Sequence, residues 1–134
     1  MDTTRYGLKT LTPLPMAAAE TMVREALAAE GFGILTEIDV AETLRVKLGV
    51  ERGPYLILGA CNPQLAAKAL DAEPDVGLLL PCNVVLYESE EGTVVAALDP
   101  STMVGLTGNH ELESIADEAR ASLERVVEAL GAAA

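Results

Sequence analysis

Two short apolar segments joined by an acidic turn constrain the fold of this chain more than any other feature. NVVLYE at residues 83–88 and TVVAAL at residues 93–98 are rich in β-branched residues, which predicts two strands. SEEG at residues 89–92 lies between them and predicts a hairpin turn, with Gly92 at the position that needs a special φ. Because a tight turn joins antiparallel strands, the sheet must be at least partly antiparallel.

The helical patterns of the chain decide what covers this sheet. Apolar residues recur at steps of three and four over residues 16–27 and, most regularly, over about 110–130, which predicts two long amphipathic helices. Shorter helices are expected after Asp39, with Gly49 as the stop, and after the Asn62–Pro63 pair. Strands are expected at 4–11, 32–38 and 54–60, and an extended segment at 77–80 that ends in a bulge at Pro81.

Two long helices with one apolar face each can cover only one side of a four- or five-stranded sheet. We therefore predict an α+β fold, a two-layer sandwich with a partly antiparallel sheet, in a single domain over residues 1–134. The strands YLIL at 55–58 and NVVL at 83–86 are apolar on both faces, so the second face of the sheet should also be buried. A second copy of the chain would bury it, and we predict a homodimer.

The composition excludes several classes of partner. The chain carries 21 acidic and 9 basic residues, a formal net charge of −12, and a surface this acidic repels nucleic-acid phosphates and anionic lipid heads. It contains three tyrosines, one phenylalanine and no tryptophan, which offers no platform for stacking bases. The N-terminal sequence lacks the pattern of a signal peptide, and the longest apolar run is interrupted by Pro81 and Asn83. We therefore expect an acidic cytoplasmic protein that binds neither nucleic acid nor membrane and keeps both cysteines reduced.

The sequence contains no motif of a common enzyme class. Phosphate-binding glycine loops of the GxxxxGK and GxGxxG types are absent, and so is the GxSxG motif of serine hydrolases. His110 is the single histidine, and no serine accompanies it in the pattern of a catalytic triad. The sequence therefore favours a binding domain over an enzyme and assigns no catalytic residue.

The two cysteines are the best candidates for a functional site. Each ends an apolar run and precedes an asparagine, Cys61 in ILGACNP at residues 57–63 and Cys82 in LLLPCN at residues 78–83. Free backbone N–H groups at the start of the next helix favour a thiolate at Cys61. A helix of about nine residues and an extended return allow both thiols to lie at one end of the sheet, where they could face each other as a pair. The predicted ligand-binding site comprises Cys61, Asn62, Cys82, Asn83, Asp99 and Met103.

Three functions are consistent with such a thiol site. In the leading hypothesis two thiolates hold a thiol-reactive ligand or a soft metal ion, either copper as Cu(I) or zinc with His110 as a further ligand. In the second, a small oxidoreductase, Cys61 attacks and Cys82 resolves a reversible disulfide. In the third, both cysteines are inert packing residues of a structural or interaction module.

The succession of short blocks along the chain resembles a known family. FGILTEIDV, KLGV, PYLILGACNP, GLLLPCNVVLYE and LDPSTM resemble the bacterial and archaeal family called domain of unknown function 302, over roughly residues 4–130. The blocks ILGACNP and LLPCNV are the specific ones, and they match the branch of that family that carries the cysteines. The resemblance implies a TATA-box-binding-protein-like fold, a curved, mainly antiparallel sheet with helices on one face, found as a dimer. It implies no reaction and no catalytic residue.

Overall fold

The structure, a computed structural model, describes residues 1–133, and within them six strands form one sheet. The strands are β1 (Asp2–Thr3), β2 (Gly7–Thr12), β3 (Gly33–Asp39), β4 (Tyr55–Cys61), β5 (Cys82–Ser89) and β6 (Gly92–Leu98). The helices are α1 (Met16–Ala29), α2 (Val40–Leu48), α3 (Pro63–Ala72), α4 (Thr102–Thr107) and α5 (Glu113–Gly131), with 3-10 turns at Pro74–Leu79 and His110–Leu112. The order in the sheet is β1-β2-β6-β5-β4-β3, and every neighbouring pair is antiparallel. The predicted α+β fold with its antiparallel sheet is confirmed.

The hairpin that the sequence predicts joins β5 to β6. Ser89 pairs with Gly92 across the turn, and Gly92 adopts a φ of 139°, which only glycine adopts without strain. A Cβ atom at Gly92 would also lie 3.0 Å from the Cα of Pro13 and would collide with the carbonyl of Thr12. The glycine therefore permits both the turn and the close approach of the chain that leaves β2.

The two long helices cover one face of the sheet, as predicted for a two-layer sandwich. α1 buries Ala19, Val23 and Leu27, and α5 buries a longer stripe of the same spacing that packs on β2 and β6. Each fully buried leucine or valine of this layer stabilises the fold by roughly 1.5–3 kcal/mol relative to an exposed one. None of the helices within residues 1–133 combines the length and the apolar composition needed to cross a bilayer.

The opposite face of the sheet, called the open face below, carries apolar side chains that keep part of their exposure to solvent. Along β5, Val84 and Leu86 are fully buried under the helices, whereas Val85 and Tyr87 alternate with them and are only half-buried. Tyr87 stacks on Tyr55 of β4, with ring centroids 5.4 Å apart. The open face comprises Leu11, Tyr55, Ile57, Val85, Tyr87, Val94, Ala96 and Leu98.

The two short helices begin where the sequence predicts. The Asp39 carboxylate accepts a hydrogen bond from the backbone N–H of Glu42 at the start of α2, and Gly49 ends that helix with a φ of 66°. Asn62 caps α3 in the same way. α2 nevertheless buries none of its side chains, so its local caps, rather than a core contact, define its ends.

Three local features differ from the sequence-based expectation. The run GLLL at 77–80 is not extended, because the chain folds into a 3-10 turn that begins at Pro74 and buries Val76. Pro81 directly precedes β5 and causes no shift in the β4–β5 register; a register irregularity lies in β3 instead, between Ile34 and Thr36. Helix α4, which follows β6, was not anticipated at all.

Candidate binding site

The two cysteines end β4 and begin β5, two neighbouring strands. The register aligns Cys82 with Ala60 rather than with Cys61. Because the register is offset by one residue, the two thiols do not form a directly opposed cross-strand pair, although both residues border one small cavity. Both are free thiols, and Cys82 is buried whereas Cys61 is half-buried. The predicted facing pair of cysteines is therefore wrong: a one-residue offset in register separates the side chains.

Burial makes the Cys82 thiol a weak acid. Its exposed fraction is 6%. Desolvation, with a further contribution from the charge of Cys61, raises the pKa of Cys82 to about 11. The thiol is therefore protonated at neutral pH, which does not suit the resolving cysteine of a redox pair or a ready metal ligand.

Four of the predicted site residues line one small cavity. Cys61, Asn62, Cys82 and Met103 border it together with apolar side chains from α3 and α5. The cavity measures about 30 Å³, which is room for about one water molecule but not for an organic ligand. Asn62 is committed to α3, since its side-chain oxygen accepts from the N–H groups of Gln64 and Leu65 at 3.1 and 3.3 Å.

The remaining predicted residues lie elsewhere. His110 is exposed and contacts Glu113, with 3.1 Å between Nδ1 and Oε1. Within residues 1–133 no group of three His, Cys, Asp or Glu side chains could hold a metal ion, so the structure does not assemble the predicted zinc site with His110. Asp99 is buried and accepts hydrogen bonds from the backbone N–H and the hydroxyl of Ser101 and from Arg120. Burial opposes the charge of Asp99, but these donors hold the pKa of its carboxyl below the usual range.

Asn83, the last of the predicted residues, lines a much larger groove at the edge of the open face, called the groove below. The groove has a volume of about 750 Å³, within the range of small-molecule sites. It lies between the turn before β2, the 3-10 turn, the ends of β5 and β6, and helix α4. Its lining residues are Arg5, Tyr6, Leu78, Leu79, Leu80, Pro81, Asn83, Leu98, Thr102, Gly105 and Leu106.

Large apolar side chains stand exposed around this groove. Tyr6, Leu78 and Leu106 are 69%, 88% and 72% exposed, and they come from three separate segments of the chain. A smaller hollow of about 340 Å³ adjoins the groove on the open face and shares Tyr6, Asn83 and Leu98 with it. Apart from Asn83, the residues of the groove were not predicted from the sequence. The run of leucines at 78–80 was the available signal, but its pattern is also that of a buried strand.

The six-stranded antiparallel sheet, with two long helices on one face and a groove at the edge of the other, defines a two-layer α+β domain. The chain belongs to the family described as domain of unknown function DUF302, whose family model matches residues 8–130. A crystal structure of an uncharacterized conserved DUF302 protein from Bacillus stearothermophilus is similar, with a TM-score of 0.88 and 30% sequence identity. The match covers 95% of this chain and 99% of that one. No protein with a curated description matches the chain.

Proposed function

We propose that the protein is a small-molecule binding domain whose ligand occupies the groove. The observation that carries this proposal is the combination of size and lining. A volume of about 750 Å³ suits a small organic molecule, and six of the eleven lining residues are leucine or proline. The thiol cavity, at about 30 Å³, has no such capacity.

The exposed side chains around the groove supply the driving force for binding. Leu78 on the 3-10 turn and Leu106 on α4 are both mostly in contact with water in the free protein. Contact with an apolar ligand would remove both from water, and complete burial of one leucine is worth roughly 1.5–3 kcal/mol. Exposed apolar side chains that cluster in this way favour aggregation unless they bind a ligand or partner, so their presence here supports a binding role.

The test uses a neutral fluorescent probe, N-phenyl-1-naphthylamine, whose emission rises in apolar surroundings. Gly105 offers a way to fill the groove, because a Cβ atom there would meet nothing within 4 Å and its φ is not positive. We expect Gly105→Met to weaken probe binding at least tenfold. Gly53→Met is the matched control, since Gly53 also has open space around it and is not a groove residue.

Two results would overturn the groove as the site. One is wild-type protein that leaves the probe emission unchanged; the other is equal binding by wild-type protein, Gly105→Met and Gly53→Met. Thermal unfolding of each variant establishes that it is folded. Leu106→Ser is a second variant at an exposed position, so it reports on the groove without disturbing the core.

We also infer a homodimer that buries the open face. The half-buried Val85, Tyr87 and Ile57 support this inference, because an apolar sheet face is stabilised by exclusion of water. Val85→Glu should then shift the sedimentation mass from twice the 14.0 kDa chain mass toward a single chain. Leu70→Glu on α3, which lies outside that face, should leave the mass unchanged. A wild-type protein with the mass of one chain at micromolar concentration would refute the dimer.

A soft metal ion at the small cavity is a second candidate function. The sulfur-bearing residues Cys61, Cys82 and Met103 line that cavity, and Cu(I) prefers thiolate and thioether ligands. The raised pKa of Cys82 opposes it, because binding must displace a proton. Anaerobic competition with a coloured Cu(I) chelator tests it: tight binding that is lost in Cys61→Ser and Met103→Leu supports the site. Equal uptake by wild type and both variants excludes it.

We expect the protein to work in the cytoplasm. Both cysteines are free thiols, which suits a reducing compartment. The ligand is therefore expected among the small molecules of the cell interior.

A further inference from the structure

We infer that the ligand of the groove is an aliphatic carboxylate, an inference that rests on the proposed function. The charge around the groove points to an anion. The chain carries 21 acidic and 9 basic residues, yet none of the groove residues is acidic and Arg5 is the one charged residue among them. An anionic group at this position is spared the repulsion that it would meet over most of the surface.

The Arg5 guanidinium is available for a ligand. Four other arginines, at positions 24, 45, 120 and 125, form ion pairs with carboxylates of the protein. Arg52 lies over the ring of Tyr55, 5.0 Å from its centroid. Arg5 differs from all of these, since among the described residues it has no ion pair and no side-chain hydrogen bond. A guanidinium binds a carboxylate with two parallel hydrogen bonds.

Two neutral donors accompany Arg5 in the lining. The Tyr6 hydroxyl and the Asn83 amide form no side-chain hydrogen bond within residues 1–133, and both groups can donate to a carboxylate oxygen. A single cation with two neutral donors suits one negative charge. A polyanion such as a nucleotide would need several cations or a cluster of backbone N–H groups.

The remaining lining residues indicate that the rest of the ligand is apolar. Leu78, Leu79, Leu80, Pro81, Leu98 and Leu106 offer no side-chain hydrogen-bonding group. Tyr6 is the one aromatic residue in the lining, so the groove provides little stacking surface for an aromatic ring. An unbranched hydrocarbon chain fills such an irregular aliphatic groove and needs no polar partner.

The test compares decanoate with 1-decanol, which share a hydrocarbon chain and differ in charge at pH 8. We expect each to displace N-phenyl-1-naphthylamine from the wild-type protein, and decanoate to bind about tenfold more tightly because of its charge-assisted hydrogen bonds. Arg5→Met should weaken decanoate about tenfold and leave decanol unchanged. Lys68→Met, which removes the same charge from an exposed position on α3, should change neither affinity.

The possible results separate this inference from the proposed function. Equal affinity for the acid and the alcohol, or a loss in Lys68→Met as large as in Arg5→Met, overturns the carboxylate while the groove remains a binding site. Failure of the wild-type protein to bind the probe and both compounds removes the proposed function and this inference together. An Arg5→Met variant that binds decanoate as tightly as wild type also overturns the inference.

Discussion

The two cysteines should react at very different rates, and the difference follows from burial. The pKa of Cys82 is about 11 in the folded chain, so at pH 8 about one molecule in a thousand carries the thiolate. A thiol at its ordinary pKa of 9.0 is ionised in roughly one molecule in ten at that pH. Folding therefore lowers the reactive fraction of Cys82 roughly 100-fold, before any shielding from the reagent is counted.

The assay is the reaction of the native protein with a chromogenic aromatic disulfide at pH 8. Cys61→Ser, which retains only Cys82 and its burial, should react slowly and should speed up by roughly 100-fold in urea, because desolvation is the larger cause of the raised pKa. Cys82→Ser retains the half-buried Cys61 and provides the fast reference. Native Cys82 reacting within a few-fold of its rate in urea would refute the argument from burial.

The same pKa shift predicts how stability depends on pH. Because the pKa of Cys82 is raised from 9.0 to about 11, its contribution to the free energy of unfolding is complete below pH 9 and is lost as pH rises toward 11. At 1.36 kcal/mol per pKa unit the loss amounts to about 3 kcal/mol. In urea unfolding, the free energy of unfolding of the wild type should therefore fall more steeply with pH above pH 9 than that of Cys82→Ala. Parallel curves for the two proteins would contradict this result.

Substitutions at three further sites, two of them with a control variant, test other parts of the fold. Gly59→Ala should cost about 1–3 kcal/mol in urea unfolding, because a Cβ atom there would collide with the Thr36 side chain, whereas Gly33→Ala meets nothing within 4 Å and should cost less than 1 kcal/mol. Asn62→Ala should cost about 1 kcal/mol through loss of the α3 cap, and Asn62→Asp should retain most of it. Because the pKa of Asp99 is lowered from its ordinary value of 3.8, the charged carboxylate stabilises the fold above pH 3.8, and this stabilisation is lost as pH falls below that value. The free energy of unfolding of Asp99→Asn should therefore depend less on pH in the acid range than that of the wild type.

The sequence predicted helix ends and turns correctly where a single capping residue, proline or glycine determines them. Asn62, Pro63 and Gly92 act within a few residues of themselves, by capping a helix or adopting a special φ, and each does so as expected. The regular stripe of α5 was equally informative, because helical spacing reports directly which face meets a core.

The features that sequence reasoning missed depend on contacts between distant segments. The leucines at 78–80 have the composition of a buried strand, and only the 3-10 turn leaves Leu78 almost fully exposed. The groove needs α4 and the turn before β2 as its other walls, and no local pattern places them together. The prediction of a facing cysteine pair was wrong for a related reason: spacing along the chain does not reveal that the register pairs Cys82 with Ala60 rather than with Cys61.

The order of strands in the sheet has a consequence for how the chain folds during synthesis. Among residues 1–133, β2 pairs with the two-residue β1 and with β6, and in the second of these pairs Gly7 lies opposite Leu98, about 90 residues further along. At a translation rate of roughly 5–20 residues per second, β2 waits about 5–18 s before β6 has been made. Its apolar side chains are exposed throughout that delay, so the N-terminal segment is where a nascent chain of this protein would most benefit from a chaperone. β3, β4, β5 and β6 each pair with the next strand along the chain, so we expect the docking of β2 to complete the sheet last.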